Sequence, residues 1–398
     1  MSLTKSTRIE SIDILRGVVM VIMALDHSRD YFHLSNSVLV AAISPTDMAT
    51  TTPFLFFTRF ITHYCAPVFV FLAGTSSFLY GSKKTKAELS KFLFTRGVWL
   101  IVLEFVVNNF VWQFDLGYNL IVLQVIWAIG ISMVCLSALI YLPKKALLLV
   151  GIILVAGHNL LDGIVMQGNS FQSIVWYILH QRQPILLESG QAIRFSYPII
   201  PWVGVIVLGY CFGTFYQRDY NPPLRKKWLL RLGLGAIALF FIIRGINVYG
   251  NLEPWAIQKN NIFTVMSFFN VTKYPPSLSF VLITLGPAML FLYGIENIKN
   301  KITDFFLVFG RVPLFYYFLH IFVIHLFAIL AILILDGDWY SLVTTERGLS
   351  AQMLSKYGHS LLVVYLVWIG VLIFLYPFCK KYMIYKANNK DKWWLSYL

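Results

Sequence analysis

The stretch ILRGVVMVIMALDHSRDYFH, residues 14–33, joins an apolar run to a dense polar cluster. A helix needs about 20 mostly apolar residues to cross a bilayer, which is the length of this stretch. Its C-terminal end holds Asp26, His27, Arg29, Asp30 and His33. Ionisable groups in a membrane helix are costly, and aspartate is a poor interfacial anchor, so the cluster predicts a functional site rather than a solvated helix end.

The composition is that of a membrane protein. Of the 398 residues, 58% are hydrophobic and 13% are charged, whereas a soluble domain carries about 25% charged residues. The net charge of +14 comes mostly from Lys and Arg in short loops, which favours orientation in the bilayer over binding to nucleic acid. The four cysteines show no metal-ligand spacing and are interpreted as buried thiols: Cys65, Cys135, Cys211 and Cys379.

The apolar runs predict an all-α fold. We expect a polytopic integral membrane helix bundle of about ten transmembrane helices, forming one domain over residues 1–398. The predicted spans are 13–33, 53–80, 92–112, 118–142, 145–162, 195–216, 228–250, 276–296, 306–335 and 358–385.

The connections between the predicted spans are alternately rich and poor in Lys and Arg. The rich segments are the N-terminus, 83–91, 144–145, 218–231, 299–301 and 380–392. The positive-inside rule then places both termini in the cytoplasm, with the long segments 34–52, 163–194 and 251–275 outside. The amphipathic stretch NSFQSIVWYILHQRQPILLE, residues 169–188, is too short to span. We expect it to lie in the interface or re-enter the bundle.

The helical spacing of the polar cluster predicts a general base. Asp26, Asp30 and His33 fall at i, i+4 and i+7, and His27 and Asp30 at i and i+3. A carboxylate beside an imidazole orients it and raises its basicity. The sequence therefore predicts catalysis by His27, with Asp26 or Asp30 as the orienting group.

Two further polar sets fall at the two ends of the predicted spans. The outer set, interpreted as substrate-binding, is Arg29, His63, Asn109, Asp162, Tyr197, Arg244, Asn247 and Lys273. The inner set, interpreted as a mouth for the phosphates of an anionic donor, is Arg16, Arg96 and Arg311 with the deeper His320. Snorkelling arginines and packed histidines are the structural alternatives to these roles. We expect no metal site.

Five blocks of sequence carry a resemblance to a known family. They are RIESIDILRGVVMVIMALDHSRDYFH, RFITHYCAPVFVFLAGTSSFLYG, SYPIIPWVGVIVLGYCFG, TKYPPSLSFVLITLGPAML and FGRVPLFYYFLHIFVIHLF. Together they resemble the bacterial branch of the heparan-alpha-glucosaminide N-acetyltransferase catalytic-domain family. The resemblance implies acetyl transfer from cytoplasmic acetyl-CoA to a sugar across the membrane, with a catalytic histidine that corresponds most directly to His27. By the spacing in the lysosomal member, His33 competes for this role.

The resulting hypothesis is a membrane acyltransferase of the bacterial plasma membrane. It would move an acetyl group from acetyl-CoA to an amine or hydroxyl of a sugar, glycolipid or envelope glycan at the outer face. His27 would act as base or as nucleophile, and Asn109 or Tyr197 would stabilise the oxyanion. The alternatives are a proton-coupled transporter of a small solute and a structural membrane subunit. A homodimer is left open.

Overall fold

The computed structural model describes residues 9–33, 45–335, 339–343 and 358–396. The described chain is mainly helical. The helices are α1 Glu10–Phe32, α2 Pro53–Thr62, α3 Cys65–Gly81, α4 Lys86–Leu103, α5 Asn109–Gln113, α6 Val125–Leu139, α7 Lys144–Ala156, α8 Phe171–Leu179, α9 Ile199–Phe212, α10 Pro222–Ile246, α11 Asn261–Phe269, α12 Leu278–Ile295, α13 Lys301–Arg311, α14 Pro313–Ile334 and α15 Leu361–Asn388. The strands are β1 Leu120–Leu123, β2 Gln183–Leu186 and β3 Ala192–Phe195.

Six helical segments in the described ranges are long and apolar enough to cross a membrane. They are Pro53–Gly81, Ile199–Tyr216, Pro222–Ile246, Leu278–Ile295, Pro313–Ile334 and Leu361–Asn388. Helix α1 has the required length at 23 residues, but its charged residues keep it outside this set. The helical membrane bundle is thus supported, whereas the number of ten spans and the side of the termini stay predictions.

Two predicted spans differ from the structure. In the predicted span 118–142 the helix begins only at Val125, because the preceding Leu120–Leu123 forms a strand. The predicted span 306–335 is broken at Val312, between α13 and α14. Pro313 begins α14, and proline cannot continue a preceding helix because it lacks the N–H and its ring clashes with the previous turn.

A small sheet corrects the purely helical prediction. Its strand order is β1-β3-β2, with β1 parallel and β2 antiparallel to β3. Helix α8 packs on it through Tyr177, which joins Leu123, Ile185 and Phe195 in one buried cluster. The stretch 169–188 therefore forms a short helix and a strand, and its position in the interface or re-entry into the bundle stays a prediction.

Helix α1 lies at the centre of the bundle, against α2, α3, α12, α13, α14 and α15. The close approach of α1 to α13 requires glycine at two positions. A Cβ on Gly310 would lie 1.8 Å from the Asp13 carbonyl oxygen, and one on Gly17 would lie 1.9 Å from that of Phe306. This packing against α13 and α14 brings His27 of α1 to His320 of α14.

Candidate active site

His27 and His320 are hydrogen-bonded in the bundle interior. The Nδ1 atom of His27 lies 2.7 Å from Nε2 of His320, and the two rings stack with centroids 4.9 Å apart. The Nδ1 atom of His320 lies 2.8 Å from the carbonyl oxygen of Tyr316. A carbonyl oxygen only accepts, so His320 carries its proton on Nδ1 and its Nε2 accepts. His27 therefore donates from Nδ1, and its Nε2 keeps a free lone pair.

The surroundings of His27 are aromatic. The ring of Trp112 contacts it edge-on at 4.7 Å, and the ring of Tyr317 lies 6.5 Å away. No hydrogen bond to His27 Nε2 is formed by the residues that the structure describes. The residue is 8% exposed, so this lone pair lies in a largely buried site.

Asp26 binds arginines instead of the imidazole. Its Oδ1 accepts from Arg29 at 2.9 Å and from the Thr62 hydroxyl at 2.9 Å, and its Oδ2 accepts from Arg59 at 2.5 Å. Asp30 accepts from Arg29 at 2.6 Å. The predicted orientation of His27 by Asp26 or Asp30 is therefore wrong: in the described part of the chain its hydrogen-bond partner is His320. The carboxylates neutralise buried guanidinium groups, which is the expected response to a buried charge.

His33 stands apart from this cluster. It ends α1 as the C-cap and is bridged to His359, whose backbone N–H donates to the carbonyl of Phe32 at 2.8 Å. Its side chain is half-buried. The arrangement favours His27 over His33 as the reacting histidine, which stays a prediction.

Three members of the outer set lie near the Asp26–His27 pair. Charge–charge interactions join Lys273 to Asp26, His27 and His63. His63 is 4% exposed, and its Nδ1 has no hydrogen-bond partner. The Tyr197 hydroxyl lies 3.5 Å from that of Tyr274, and Tyr274 follows Lys273 directly. These residues line the same polar region.

Four other members bind neighbouring protein groups. Asn109 accepts from the N–H of Val122 at 2.6 Å and donates to the carbonyl of Glu104 at 2.8 Å. Both ends of its amide are thus occupied, so a role for Asn109 in stabilising an oxyanion is not supported. The rest are Asp162, which joins the pair of histidines described next, and Arg244 and Asn247, which bind main chain between 253 and 270.

His158, Asp162 and His180 form a separate cluster by the small sheet. Their donor atoms lie within 4.8 Å of one another, a set that could hold a metal ion by donor type. In the structure His180 Nε2 donates to the His158 carbonyl oxygen at 2.9 Å and lies 3.1 Å from His158 Nδ1. Burial and the neighbouring His180 lower the pKa of His158 to about 4. Because His158 Nδ1 and His180 Nε2 contact each other, the cluster connects the segment after α7 to the end of α8.

The predicted donor mouth is largely occupied by protein groups. Arg16 donates to Asp13 at 2.8 Å, to Ser76 at 3.0 Å and to the carbonyl of Gly310 at 3.3 Å. Arg311 makes only long ion pairs of 3.7 and 3.9 Å, and its Nε has no hydrogen-bond partner. Arg96 lies over Phe92 of its own helix, and His320 belongs to the His27 site. Of this set, Arg311 fits the predicted phosphate contact best.

Sequence reasoning missed two side chains of the site. Trp112 contacts His27, and its Nε1 is buried without a hydrogen-bond partner. Tyr274 lies between Lys273 and Tyr197. An indole and a phenol in apolar surroundings resemble ordinary core residues, so neither carried a local signal. The nearest indication in the sequence was YPP before α12, because a turn there determines the position of Tyr274.

Residues 8–243 match the family described as heparan-alpha-glucosaminide N-acetyltransferase, catalytic. This range covers more than half of the chain and all of α1, whereas Lys273, Tyr274 and His320 lie beyond it. A search of curated proteins finds no match. The chain therefore belongs to the heparan-alpha-glucosaminide N-acetyltransferase catalytic-domain family, a family of membrane acetyltransferases.

Proposed function

We propose that the protein transfers an acetyl group from acetyl-CoA to an amine or hydroxyl of a sugar-containing acceptor, with His27 as the reacting group. The observation that carries the proposal is the hydrogen-bond chain from His27 through His320 to the carbonyl of Tyr316. It leaves a lone pair on His27 Nε2 in a buried site. Such a nitrogen can accept a proton or attack a carbonyl carbon.

In the direct route, the acceptor amine or hydroxyl attacks the thioester carbonyl while His27 Nε2 takes its proton. The tetrahedral intermediate then expels the CoA thiolate, which receives that proton from His27. While His27 carries both protons, its Nδ1–H still donates to His320, which stabilises the imidazolium. His320 thus takes the orienting part that a carboxylate plays in a catalytic triad.

In the two-step route, His27 Nε2 itself attacks the thioester. An acetyl-imidazolium forms and CoA leaves as the thiolate. The acceptor then attacks the acetyl carbon, the C–N bond to His27 breaks to give back the neutral imidazole, and the acceptor's proton passes to the thiolate or to water. The same tautomer serves both routes. A burst of CoA release without acceptor would identify the second route, and release that requires acceptor would identify the first.

The oxyanion of either route needs a donor near His27. Trp112 meets this need because its indole N–H is buried, without a hydrogen-bond partner and adjacent to the imidazole. A donor already fixed in a dry site stabilises developing charge without reorganisation. We assign this role to Trp112, with Tyr197 as the alternative.

The test is acetyl transfer by purified protein in nanodiscs with radiolabelled acetyl-CoA. Mass spectrometry of envelope glycans and lipids, with and without the gene, supplies the acceptor. We expect a gain of one acetyl unit on a glycan or glycolipid that depends on the gene. Unchanged glycans and lipids together with no transfer in vitro would overturn the proposal.

A further inference from the structure

Three cations near the His27 site are left without an acidic partner. The side chains of Arg182, Arg194 and Lys273 form neither an ion pair nor a hydrogen bond with any residue in the described ranges. By contrast, Arg29 and Arg59, the arginines nearest His27, bind Asp26 and Asp30. The three cations therefore lack the acidic partners that Arg29 and Arg59 have.

These cations gather around Tyr274. The guanidinium carbon of Arg182 lies 4.9 Å from the centre of the Tyr274 ring, and Lys273 Nζ lies 5.1 Å from it. Arg194, on β3, lies close enough to Arg182 that their like charges interact. Burial and this neighbour lower the pKa of Arg194. We call Arg182, Arg194 and Lys273 with Tyr274 the cationic strip.

The strip leads to the proposed reaction centre. Lys273 interacts electrostatically with both Asp26 and His27, and Arg59, bound to Asp26, interacts with Tyr274. Arg182 at the far end is exposed, whereas Arg194 and Lys273 are half-buried. Positive charge thus extends from solvent to the side of His27.

Membrane orientation does not account for these cations. Under the predicted orientation they lie outside, where the positive-inside rule favours few Lys and Arg in short loops. Two adjacent arginines also repel each other. An anionic ligand would remove this repulsion, and a guanidinium matches the oxygens of phosphate in a bidentate geometry.

We propose that the cationic strip binds a phosphate or diphosphate group of the acceptor, which makes the acceptor a phosphorylated saccharide. This proposal rests on the proposed acetyl transfer only in calling the ligand the acceptor. The binding of a phosphate group by the strip does not depend on that transfer. A phosphate carries about −1.5 to −2 charges, so it neutralises the strip better than one carboxylate does. The two sources of such a group are a lipid-linked sugar and a soluble sugar phosphate.

The test measures binding of inorganic diphosphate to the purified full chain in phosphatidylcholine nanodiscs by calorimetry. Because each arginine would donate charge-assisted hydrogen bonds to the diphosphate, R182Q/R194Q is expected to weaken binding about tenfold or more. The matched control is K226Q/K227Q, which removes two cations from α10. It is expected to bind as the wild type does, and CoA is expected to bind all three proteins alike.

Equal diphosphate affinity in all three proteins would overturn the proposal, and so would loss of CoA binding in R182Q/R194Q, which would assign the strip to the donor. No transfer chemistry is measured, so a failure of the acetyltransferase proposal leaves this result intact. Competition by a polyprenyl phosphate in the nanodisc identifies a lipid-linked source. Competition by glucosamine 1-phosphate identifies a soluble one, and competition by neither contradicts a phosphorylated acceptor.

Discussion

The imidazoles of His27 and His320 are 2.7 Å apart between Nδ1 and Nε2, although the residues are 293 positions apart in the chain. The contact joins the C-terminal half of α1 to the centre of α14. Because His320 is fixed by the Tyr316 carbonyl, it determines which nitrogen of His27 carries the proton. In the proposed acetyl transfer, His320 on α14 is the positioning residue and His27 on α1 is the reacting residue.

Substitutions of His27 and of His320 should reduce turnover in different ways. A positioned base contributes about 10²–10⁴-fold, so H27A should lose this factor while acetyl-CoA still binds. H320A should lower kcat with little change in KM for acetyl-CoA. H320Q should restore part of kcat, because an amide oxygen can accept from Nδ1–H. Steady-state kinetics with the acceptor identified by mass spectrometry check these outcomes.

The matched control is H33A, since His33 lies on the same helix but is bridged to His359. We expect its kcat to stay near that of the wild type. Full activity of H27A would remove His27 from the mechanism, and loss of activity in H33A alone would transfer the role to His33.

Substitution of Trp112 tests the proposed oxyanion donor independently of the two histidines. W112F keeps an aromatic ring beside His27 but removes the indole N–H. Loss of one oxyanion donor costs about 10²–10³-fold in kcat, and we expect a loss of this order without a change in thermal stability. Y197F, run in parallel, tests the alternative donor. An unchanged kcat in W112F with a reduced kcat in Y197F would reverse the assignment.

Asp26 should matter for folding more than for proton transfer. It accepts hydrogen bonds from Arg29 and Arg59. Arg29 also binds Asp30, so D26N removes the counter-charge that binds the Arg59 guanidinium. Breaking a buried ion pair from one side costs about 3–5 kcal/mol. We expect a clearly lower midpoint of thermal unfolding in detergent, followed by tryptophan fluorescence.

The control for Asp26 is E88Q at the exposed start of α4, where Glu88 lies 3.9 Å from Lys84. Exposed pairs contribute about 0–1 kcal/mol, so its unfolding midpoint should barely move. An unfolding midpoint for D26N equal to that of E88Q would show that the arginines find compensation elsewhere.

The sequence predicts local structure in this protein, but it does not predict contacts between residues that are far apart in the chain. The apolar run before Asp26 predicts a helix, and the polar cluster at its end marks the site, because both are local patterns. The partner of His27 is not local: i and i+3 spacing pointed to Asp30, but a buried aspartate beside an arginine pairs with the arginine. The strand Leu120–Leu123 was read as helix because short apolar runs fit both structures.

Two glycines that differ in their packing should respond differently to substitution by alanine. A Cβ on Gly209 of α9 would lie 2.0 Å from the Phe71 carbonyl oxygen, whereas one on Gly235 of α10 meets no atom within 4 Å. G209A must therefore push α9 away from α3, and we expect a strong loss of folded protein. G235A should be neutral or slightly stabilising, since alanine favours helix by about 1 kcal/mol over glycine.

Yield of monodisperse protein in size-exclusion chromatography and the unfolding midpoint check both variants. Small residues permit close approach of helices in a membrane, and Gly209 packs on Phe71 in this way. Normal folding of G209A would show that the two helices can separate without loss.

The phenol of Tyr274 should make anion binding depend on pH. Burial alone would raise its pKa, but the nearby cations outweigh burial and lower the pKa to about 8, from an ordinary value of about 10. The charged or titratable groups that face it are Arg59, Arg182, Tyr197, Lys273 and Tyr317. Above pH 8 the phenolate cancels one positive charge of the strip, so affinity for an anion should fall.

Sulfate is the suitable probe, because its own charge stays constant in this range. We expect its affinity to fall by up to about fivefold between about pH 7 and 9, the effect of about 1 kcal/mol, and Y274F to bind it equally at both pH values. The same shift should stabilise the fold as pH rises from about 8 to about 10, since an unfolded tyrosine keeps its proton to the higher value. A fall in sulfate affinity that persists in Y274F would place the titrating group elsewhere.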